Sequence, residues 1–442
     1  MWRVCHELVP LYLSTPDSTT IKLSVFHSTK QATVIPVTIT LCLAKLAYMP
    51  PHQSTDNSAL DLAGFDSLLT NSEVSTRQAI RDFGTRQLRP HIEQWFDSGE
   101  PPTKDLMAHF GQLDVLGMHL EGYGCPGGSA VEYGLACMEI EAVDSGLRSM
   151  VSVQGSLAMF AIRHWGSEEQ KEKYLPRLAT GELVGCFGLT EPGAGSDVAS
   201  MQMHAKREGN EWVLNGSKMW ITNSPIADVL VVWTRTEDGH AGFIVERGTP
   251  DLNTPEIRRK LSLRASITGE IVLDDCHISD AQRLPKVNSL RGPLTCLNEA
   301  RYGIIWGALG AARDSLQTTL EYTAERPVFG RPLSSFQLTQ AKLADMAVEL
   351  NKSMLLALQL GRLKDRGELR PHHISAGKLN STRVALDIAR ECRTLLGAAG
   401  ITTEYSPMRH ANNLESVLTY EGTAEMHQLI IGQAITGEAA FR

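Results

Sequence analysis

The sequence predicts an α+β protein that is mostly helical, with a β-domain inserted between two helical blocks. From about Ser72 to Gly181, apolar residues recur every three to four positions, which is typical of amphipathic helices. From about Leu183 to Leu284 the pattern changes to short runs rich in Val, Ile and Trp. From about Leu294 the helical spacing returns. We expect the two helical blocks to pack together as one body.

The N-terminal residues, 1–48, differ from everything that follows and are left unassigned. They are rich in Ser and Thr, and their apolar run is too short and too polar for a membrane span. They contain a single arginine, whereas a transit peptide is Arg-rich. The remaining chain divides into a helical domain at 49–183, a β-domain at 184–285 and a helical bundle at 286–442.

The first helical block contains a clear helix start. Ser167 followed by Gln170 is a capping box, and it opens a helix through "SEEQKEKYLPRLATG". In the β-domain, Asn215–Gly216 stands between two apolar runs and predicts a hairpin turn. The segments "VLVVWTRT", "AGFIVER" and "EIVLDDCHI" are typical of strands. In the last block, Gly397 falls where the helix through "VALDIARECRTLLG" should stop.

Composition disfavours several classes of protein. The formal net charge is -8 and the pI is about 6.0, which argues against coating nucleic acid or an anionic membrane. The eight cysteines are scattered without metal-ligand spacing, so we expect free thiols and no metal site. A Gly-rich nicotinamide fingerprint after a strand, a Walker loop and a nucleophile elbow are all missing from the sequence.

Two segments of the β-domain are candidates for cofactor binding. In "CFGLTEPGAGSD", the small residues Gly193 to Gly195 before Ser196 let backbone N–H groups approach a ligand closely. The alternative is an ordinary turn. In "KMWITNS", Trp220 could stack on a flat ring system, and the alternative is a core tryptophan.

Two further segments carry candidate catalytic and binding groups. In "YEGTAEMH", Glu421 stands at a turn before a helix-capping Thr, so its carboxylate is available for chemistry. The alternative is a solvated glutamate. In "DSGLRSMVSVQGS", Arg148 and Ser149 place a fork of donors beside a hydroxyl. The alternative is a helical ion pair between Arg148 and Asp144.

Taken together, the segments resemble the acyl-CoA dehydrogenase family. "LTEPGAGSD", "WITN", "ERPVFGRPLSSFQLTQAKLADM" and "TYEGTAEMHQLIIGQAITG" occur in the order and spacing of that family, over about Leu68 to Arg442. Within the family, "RSMVSVQGSLAM", "SLRASITG" and "LNEARYGIIWG" are most similar to the glutaryl-CoA dehydrogenases. The resemblance implies an N-terminal helical domain, a middle β-barrel-like domain and a C-terminal four-helix bundle.

The resemblance also implies FAD as the cofactor and a set of residues that contact it. Arg326, Phe329 and Gln337 would contact the FAD of a neighbouring subunit. The full set of implied cofactor residues is Phe187, Leu189, Thr190, Gly195, Ser196, Trp220, Ile221, Thr222, Arg326, Phe329, Gln337, Thr394, Leu395, Gly397, Ala398, Thr423 and Glu425. Thr394 departs from the family pattern, which often has Gln there, and this puts one FAD contact in doubt.

By the same resemblance Glu421 is the base that removes the α-proton of an acyl thioester. Some relatives carry the base immediately before an arginine that resembles Arg301, but here that position is Ala300. Arg148, with Ser149, would bind a second carboxylate of the substrate. The implied substrate residues are Glu141, Arg148, Ser149, Ser196, Leu294, Asn298, Arg301, Tyr420 and Gly422.

The expected function is oxidative decarboxylation of glutaryl-CoA to crotonyl-CoA and CO2, as in lysine and tryptophan degradation. One alternative is dehydrogenation of another short-chain or dicarboxylic acyl-CoA without decarboxylation. An acyl-CoA oxidase and a non-catalytic DNA-binding relative are the others. Glu299, where glutaryl-specific members often have Asn, leaves the substrate range open. We expect an electron-transfer flavoprotein as acceptor, a homotetramer, no nucleic-acid binding, no membrane insertion, and a bacterial cytoplasm, with a mitochondrial matrix as the alternative.

Overall fold

The computed structural model describes residues 57–440, so the extension assigned to 1–48 lies outside the described residues. Helices dominate both ends of this range. Their bounds are α1 Asn71–Phe83, α2 Arg89–Ser98, α3 Thr103–Gln112, α4 Ala130–Glu141, α5 Ser145–Ser152, α6 Phe160–Trp165, α7 Glu168–Ala179, α8 Arg291–Glu325, α9 Gln337–Asp365, α10 Pro371–Leu395, α11 Ser406–Thr419 and α12 Ala424–Thr436. The helix predicted from its capping box is confirmed as α7, because Ser167 and Gln170 make both reciprocal bonds.

The strands lie mostly between α7 and α8. Their bounds are β1 Glu121–Gly122, β2 Cys125–Pro126, β3 Gly185–Gly188, β4 His204–Glu208, β5 Glu211–Thr222, β6 Val229–Thr236, β7 Gly239–Glu246, β8 Leu252–Asn253, β9 Thr268–Ser279, β10 Pro327–Val328 and β11 Arg331–Pro332. Seven of them form one sheet in the order β3–β6–β4–β5–β9–β8, with β7 paired to β6. The order of helices, sheet and helices confirms the predicted fold class, while the domain boundaries stay predictions.

The hairpin turn predicted at Asn215–Gly216 is wrong. Both residues lie inside β5, where the pairing with β9 shifts register beside Gly216. Gly216 has φ 137°, and a Cβ there would lie 2.8 Å from the Cα of Met203. The pair therefore marks a bulge in a long strand, since tertiary pairing overrides the local turn preference. The tight connection instead lies at Gly209, between β4 and β5.

The two helical blocks share one hydrophobic core, as predicted. Trp306 on α8 and Met138 on α4 are both fully buried in the same cluster. Gly310 allows the two helices to approach closely, because a Cβ there would lie 1.9 Å from the carbonyl oxygen of Met138. A second cluster, which includes Phe243 and Ile271, fills the sheet. Within residues 57–440, no helix combines the length and the apolar character needed to cross a membrane.

A buried carboxylate connects α1, α4 and α8. Glu139 accepts hydrogen bonds from Arg81 at 2.9 and 3.0 Å and from Arg313 at 2.6 and 2.7 Å. Burial alone would raise the pKa of Glu139, but the charges of Arg313 and Arg81 outweigh it and lower the pKa to about 2. The ionised carboxylate therefore stabilises the folded protein.

Glu139→Gln should lower the free energy of unfolding at neutral pH by about 3 kcal/mol, because the buried guanidinium of Arg313 and the half-buried one of Arg81 lose their counter-charge. In the native protein this contribution is full above pH 4.5, the ordinary carboxyl pKa, and is lost as the pH falls towards about 2. Chemical denaturation at several pH values measures it. Asp82→Asn, which removes an exposed pair with Arg86, is the matched control; equal effects of the two changes would contradict this account.

Candidate active site

Glu421 lies in the loop between α11 and α12, in a left-handed backbone conformation. Its φ is 53°, and Gly422, the next residue, has φ 99°. Thr423 then caps α12 by accepting a hydrogen bond from the N–H of Met426, as the sequence predicted. The two left-handed residues turn the chain between α11 and α12, and the Glu421 carboxylate lies close enough to Arg148, Lys378 and Arg301 to be affected by their charges.

The Glu421 carboxylate has no hydrogen-bond partner in the part of the chain that the structure describes. Its Oε2 atom is buried and accepts no hydrogen bond from the described residues. Burial raises the pKa of Glu421, and the positive charges of Arg148, Lys378 and Arg301 oppose that rise without cancelling it. A desolvated carboxylate with a raised pKa is a stronger base than an exposed one, which is what proton abstraction from carbon requires.

Arg148 is fully buried beside Glu421 and is only partly paired. Its Nε donates to Oε2 of Glu141 at 2.6 Å, and its Nη2 donates to the hydroxyl of Tyr420. Its Nη1 and the Oε1 of Glu141 have no partner among the described residues. Since a guanidinium can bind carboxylate along one edge, the unused Nη1 is available for a second carboxylate.

The predicted alternative for Arg148, an ion pair with Asp144, is wrong. Asp144 caps α5 by accepting from the N–H of Gly146, and it also accepts from Asn413 at 2.8 Å. The Asp144 carboxylate is therefore already occupied by hydrogen bonds from the start of α5 and from α11. This leaves Glu141, seven residues before Arg148, as the partner of the guanidinium.

The ionisable groups around Glu421 carry more positive than negative charge. Arg148 and Arg301 are cationic and Lys378 is partly so, whereas Glu141 pairs with Arg148 and the Glu421 carboxylate is affected by the charges of all three. Burial lowers the pKa of Lys378 to about 7, so this lysine is partly protonated near neutral pH. A buried cluster with surplus positive charge favours an anionic ligand over a neutral one.

A second surface, made by the loop after β3 and by β5, suits a flat ligand. Trp220 is 57% exposed and has φ 63°, although it stands within a strand. Nothing lies within 4 Å of a Cβ built on Gly193 or Gly195, so this loop has room for a ligand. The buried Lys218 on β5 holds the loop in place by donating to the Leu189 carbonyl at 3.0 Å and to the Glu191 carboxylate at 2.7 Å.

The predicted cofactor residues differ in what they can offer a ligand. Phe187, Leu189 and Ile221 are buried in the two cores, so they can offer a ligand mainly their backbone. Other predicted residues have exposed side chains or backbone on the surface and make no hydrogen bond to the Glu421 cluster. These are Ser196, Arg326, Phe329, Gln337, Thr394, Gly397, Ala398 and Glu425.

The remaining predicted substrate residues divide into two groups. Ser149 is buried next to Arg148, and Asn298 accepts a hydrogen bond from Nη1 of Arg301 at 3.1 Å. Arg301 in turn donates from Nε to the Glu421 carbonyl at 2.7 Å. Leu294 is 39% exposed, one turn before Asn298 on α8.

Lys378 was missed by the sequence reasoning, although it contacts the Glu421 loop. It is 1% exposed and donates to the carbonyls of Tyr420 and Gly422, each at 2.7 Å. A signal was available, because Lys378 stands four residues after Ile374 and four before Thr382, on the buried face of α10. A lysine on an apolar helix face requires a polar partner inside the protein.

Known proteins are similar to this chain in sequence and in fold. Family models described as the N-terminal, middle and C-terminal domains of acyl-CoA dehydrogenase match residues 70–182, 186–276 and 291–436. A glutaryl-CoA dehydrogenase from Mycobacterium smegmatis, solved in complex with FADH2, is 60% identical, with a TM-score of 0.86 over 87% of this chain and 99% of that one. The mitochondrial short-chain specific acyl-CoA dehydrogenase of Rattus norvegicus is 34% identical over 82% of this chain and 90% of its own. A chain in the structure of the electron transferring flavoprotein of Acidaminococcus fermentans is 31% identical, with a TM-score of 0.81 over 84% of this chain and 99% of that one.

Proposed function

The chain belongs to the acyl-CoA dehydrogenase family, and from that premise we propose that it oxidises glutaryl-CoA with FAD and releases CO2, leaving crotonyl-CoA. One observation carries the choice of substrate. The guanidinium of Arg148 is fully buried near the candidate base Glu421, and its Nη1 has no partner within residues 57–440. A monoacyl chain that ends in a methyl group would leave that donor desolvated and unpaired, which is costly.

The surface around Trp220 fits the isoalloxazine of FAD. The exposed indole offers a stacking face, and the loop through Gly193 and Gly195 has room for a ligand beside backbone N–H groups. When bound, FAD supplies the acceptor for the hydride that leaves the β-carbon of the thioester. Lys218 and Glu191 keep the loop in place, so this wall is formed before the ligand arrives.

Glu421 removes the α-proton of the bound thioester. The thioester oxygen becomes more negative as the proton leaves, and a donor aimed at this oxygen stabilises the transition state. The backbone N–H of Glu421 suits that role, because it donates to no acceptor among the described residues. Base and donor thus belong to one residue, whose left-handed backbone fixes their relative position.

Arg148 places the second carboxylate of the substrate. The end of the site is formed by Nη1 of Arg148 and by the Tyr420 hydroxyl, which accepts a hydrogen bond from Nη2. Once the α,β double bond exists, the bond from the γ-carbon to the carboxylate can break, and its electron pair enters the conjugated thioester. Protonation of the γ-carbon completes the product, and the proton that Glu421 accepted earlier is the nearest source.

A second candidate function is dehydrogenation of a short-chain or other dicarboxylic acyl-CoA without decarboxylation. The likeness to the rat short-chain enzyme supports it, since that relative covers most of this chain. The free Nη1 of Arg148 favours a diacid within this group. We further propose an electron-transfer flavoprotein as the acceptor of the electrons and a homotetramer as the assembly. The likeness to a chain in the Acidaminococcus structure supports the first of these.

Anaerobic titration of the FAD-loaded protein with a panel of acyl-CoA thioesters tests the proposal. Glutaryl-CoA should bleach the flavin fastest and release about one CO2 per flavin reduced, because it alone supplies a carboxylate at the γ-carbon. Bleaching by glutaryl-CoA without CO2 would favour the second candidate function. Faster bleaching by butyryl-CoA than by glutaryl-CoA would overturn the diacid assignment.

A further inference from the structure

Three consecutive carbonyl groups in the Glu421 loop are each bound by a basic side chain. Lys378 on α10 donates to the carbonyls of Tyr420 and Gly422, each at 2.7 Å, and Arg301 on α8 donates to the carbonyl of Glu421 at 2.7 Å. Lys378 is 1% exposed, so these two bonds replace its hydration. The two side chains thus bind the loop from two different helices, α10 and α8.

This loop would not keep its shape by local preference alone. Glu421 has φ 53°, and this left-handed conformation costs a residue with a Cβ about 1–2 kcal/mol. In addition, the carbonyls of Tyr420 and Gly422 both point at one buried atom, Nζ of Lys378. Without a cation between them, these two carbonyl dipoles would be desolvated and would repel each other. The loop conformation therefore depends on Lys378.

We propose that Lys378 is a positioning residue for the dehydrogenation: by binding the carbonyls on both sides of Glu421, it fixes the peptide frame that aims the carboxylate at the α-proton. The proposal rests on the proposed function of Glu421. It adds a residue that touches neither substrate nor reacting atoms and yet sets their geometry. A displacement of about 1 Å at a reacting group can lower a rate by about 100-fold.

The surroundings of Lys378 are consistent with that role. The charged and titratable groups that act on it are Glu421, Arg301 and Arg148, together with His427, whose ring contacts Ser375 of the same helix. Burial and the two arginines favour the neutral amine, whereas Glu421 favours the ammonium form. The lysine retains its place because its hydrogen bonds go to backbone carbonyls, which accept from either form.

The test compares Lys378→Met with Thr382→Val in the FAD-loaded protein. Thr382 lies one turn further along α10, is equally buried, and donates to the Lys378 backbone carbonyl at 2.8 Å. Both changes remove buried hydrogen bonds, so both should lower the melting temperature. On the pH plateau where Glu421 is fully ionised, Lys378→Met should also lower kcat for glutaryl-CoA by about 100-fold, with unchanged flavin content and a KM within about threefold, because the aim of the base is lost.

Two further readouts separate aim from stability. In Lys378→Met the kinetic isotope effect for α-deuterated substrate should increase, since proton removal becomes the slow step. Lys378→Gln, which keeps an uncharged donor nitrogen on a shorter side chain, should retain about a tenth of the native kcat, and it decides the question if the Met variant does not fold. A kcat within twofold of the native value in both folded variants would overturn the proposal. A native enzyme that no thioester reduces would instead overturn the proposed function.

Discussion

Glu421→Gln is expected to lower the rate of flavin reduction by about 10⁴-fold while the protein still binds FAD and thioester, because the amide keeps the shape of the side chain but cannot accept the α-proton. Rapid mixing of the anaerobic holoenzyme with glutaryl-CoA measures that rate. Ala300 occupies the position from which some relatives supply the base, so a substitute carboxylate is not expected at that place.

Glu415→Gln is the matched control, since Glu415 is exposed on α11 and pairs with Arg390. The native enzyme should also show an acid limb in its pH profile. Burial raises the pKa of Glu421, so the reactive carboxylate form increases, and the rate with it, as the pH rises through that raised pKa. Rapid reduction by the Gln variant, or a rate that falls over the same range of pH, would remove Glu421 as the base.

Arg148→Gln is expected to lower kcat/KM for glutaryl-CoA by about 1000-fold, because truncating one partner of a buried charge pair leaves the substrate carboxylate desolvated and without its counter-charge. Turnover of butyryl-CoA should change far less, as its acyl chain carries no second carboxylate. The comparison of the two thioesters on one variant separates lost recognition from general damage to the site.

The change at Arg148 also leaves the buried carboxylate of Glu141 without its counter-charge. Glu141 is fully buried and would lose the charged partner that the described part of the chain gives it, so the single variant should be less stable than the native protein. The double variant with Glu141→Gln removes that unpaired charge and is the appropriate control. Equal losses for glutaryl-CoA and butyryl-CoA in the double variant would show that Arg148 supports the fold and does not select the substrate.

The sequence predicted those features that short motifs encode. The capping box of α7 and the capping Thr423 are of this kind, since each depends on residues close together, whereas the grouping of Glu421 with Arg148 was implied by the resemblance to the family. The element order followed from periodicity, because the helical and strand patterns differ over more than 100 residues.

The features that sequence reasoning missed depend on contacts between distant residues. Asn215–Gly216 resembles a turn locally, and only its pairing with β9 makes it a bulge. Lys378 lies 42 positions before the Tyr420 carbonyl that it binds, so no short window contains both partners. Arg148 pairs with Glu141 and not with Asp144 because α11 engages Asp144 through Asn413.

The most direct measurement is a crystal structure of the FAD-loaded protein with a glutaryl thioester analogue that cannot be oxidised. We predict a carboxylate oxygen of Glu421 about 3–3.5 Å from the α-carbon, on the side opposite the flavin ring, and the distal carboxylate on Nη1 of Arg148. If the Glu421 side chain instead points to bulk water with no ring system facing it, the catalytic assignment is wrong.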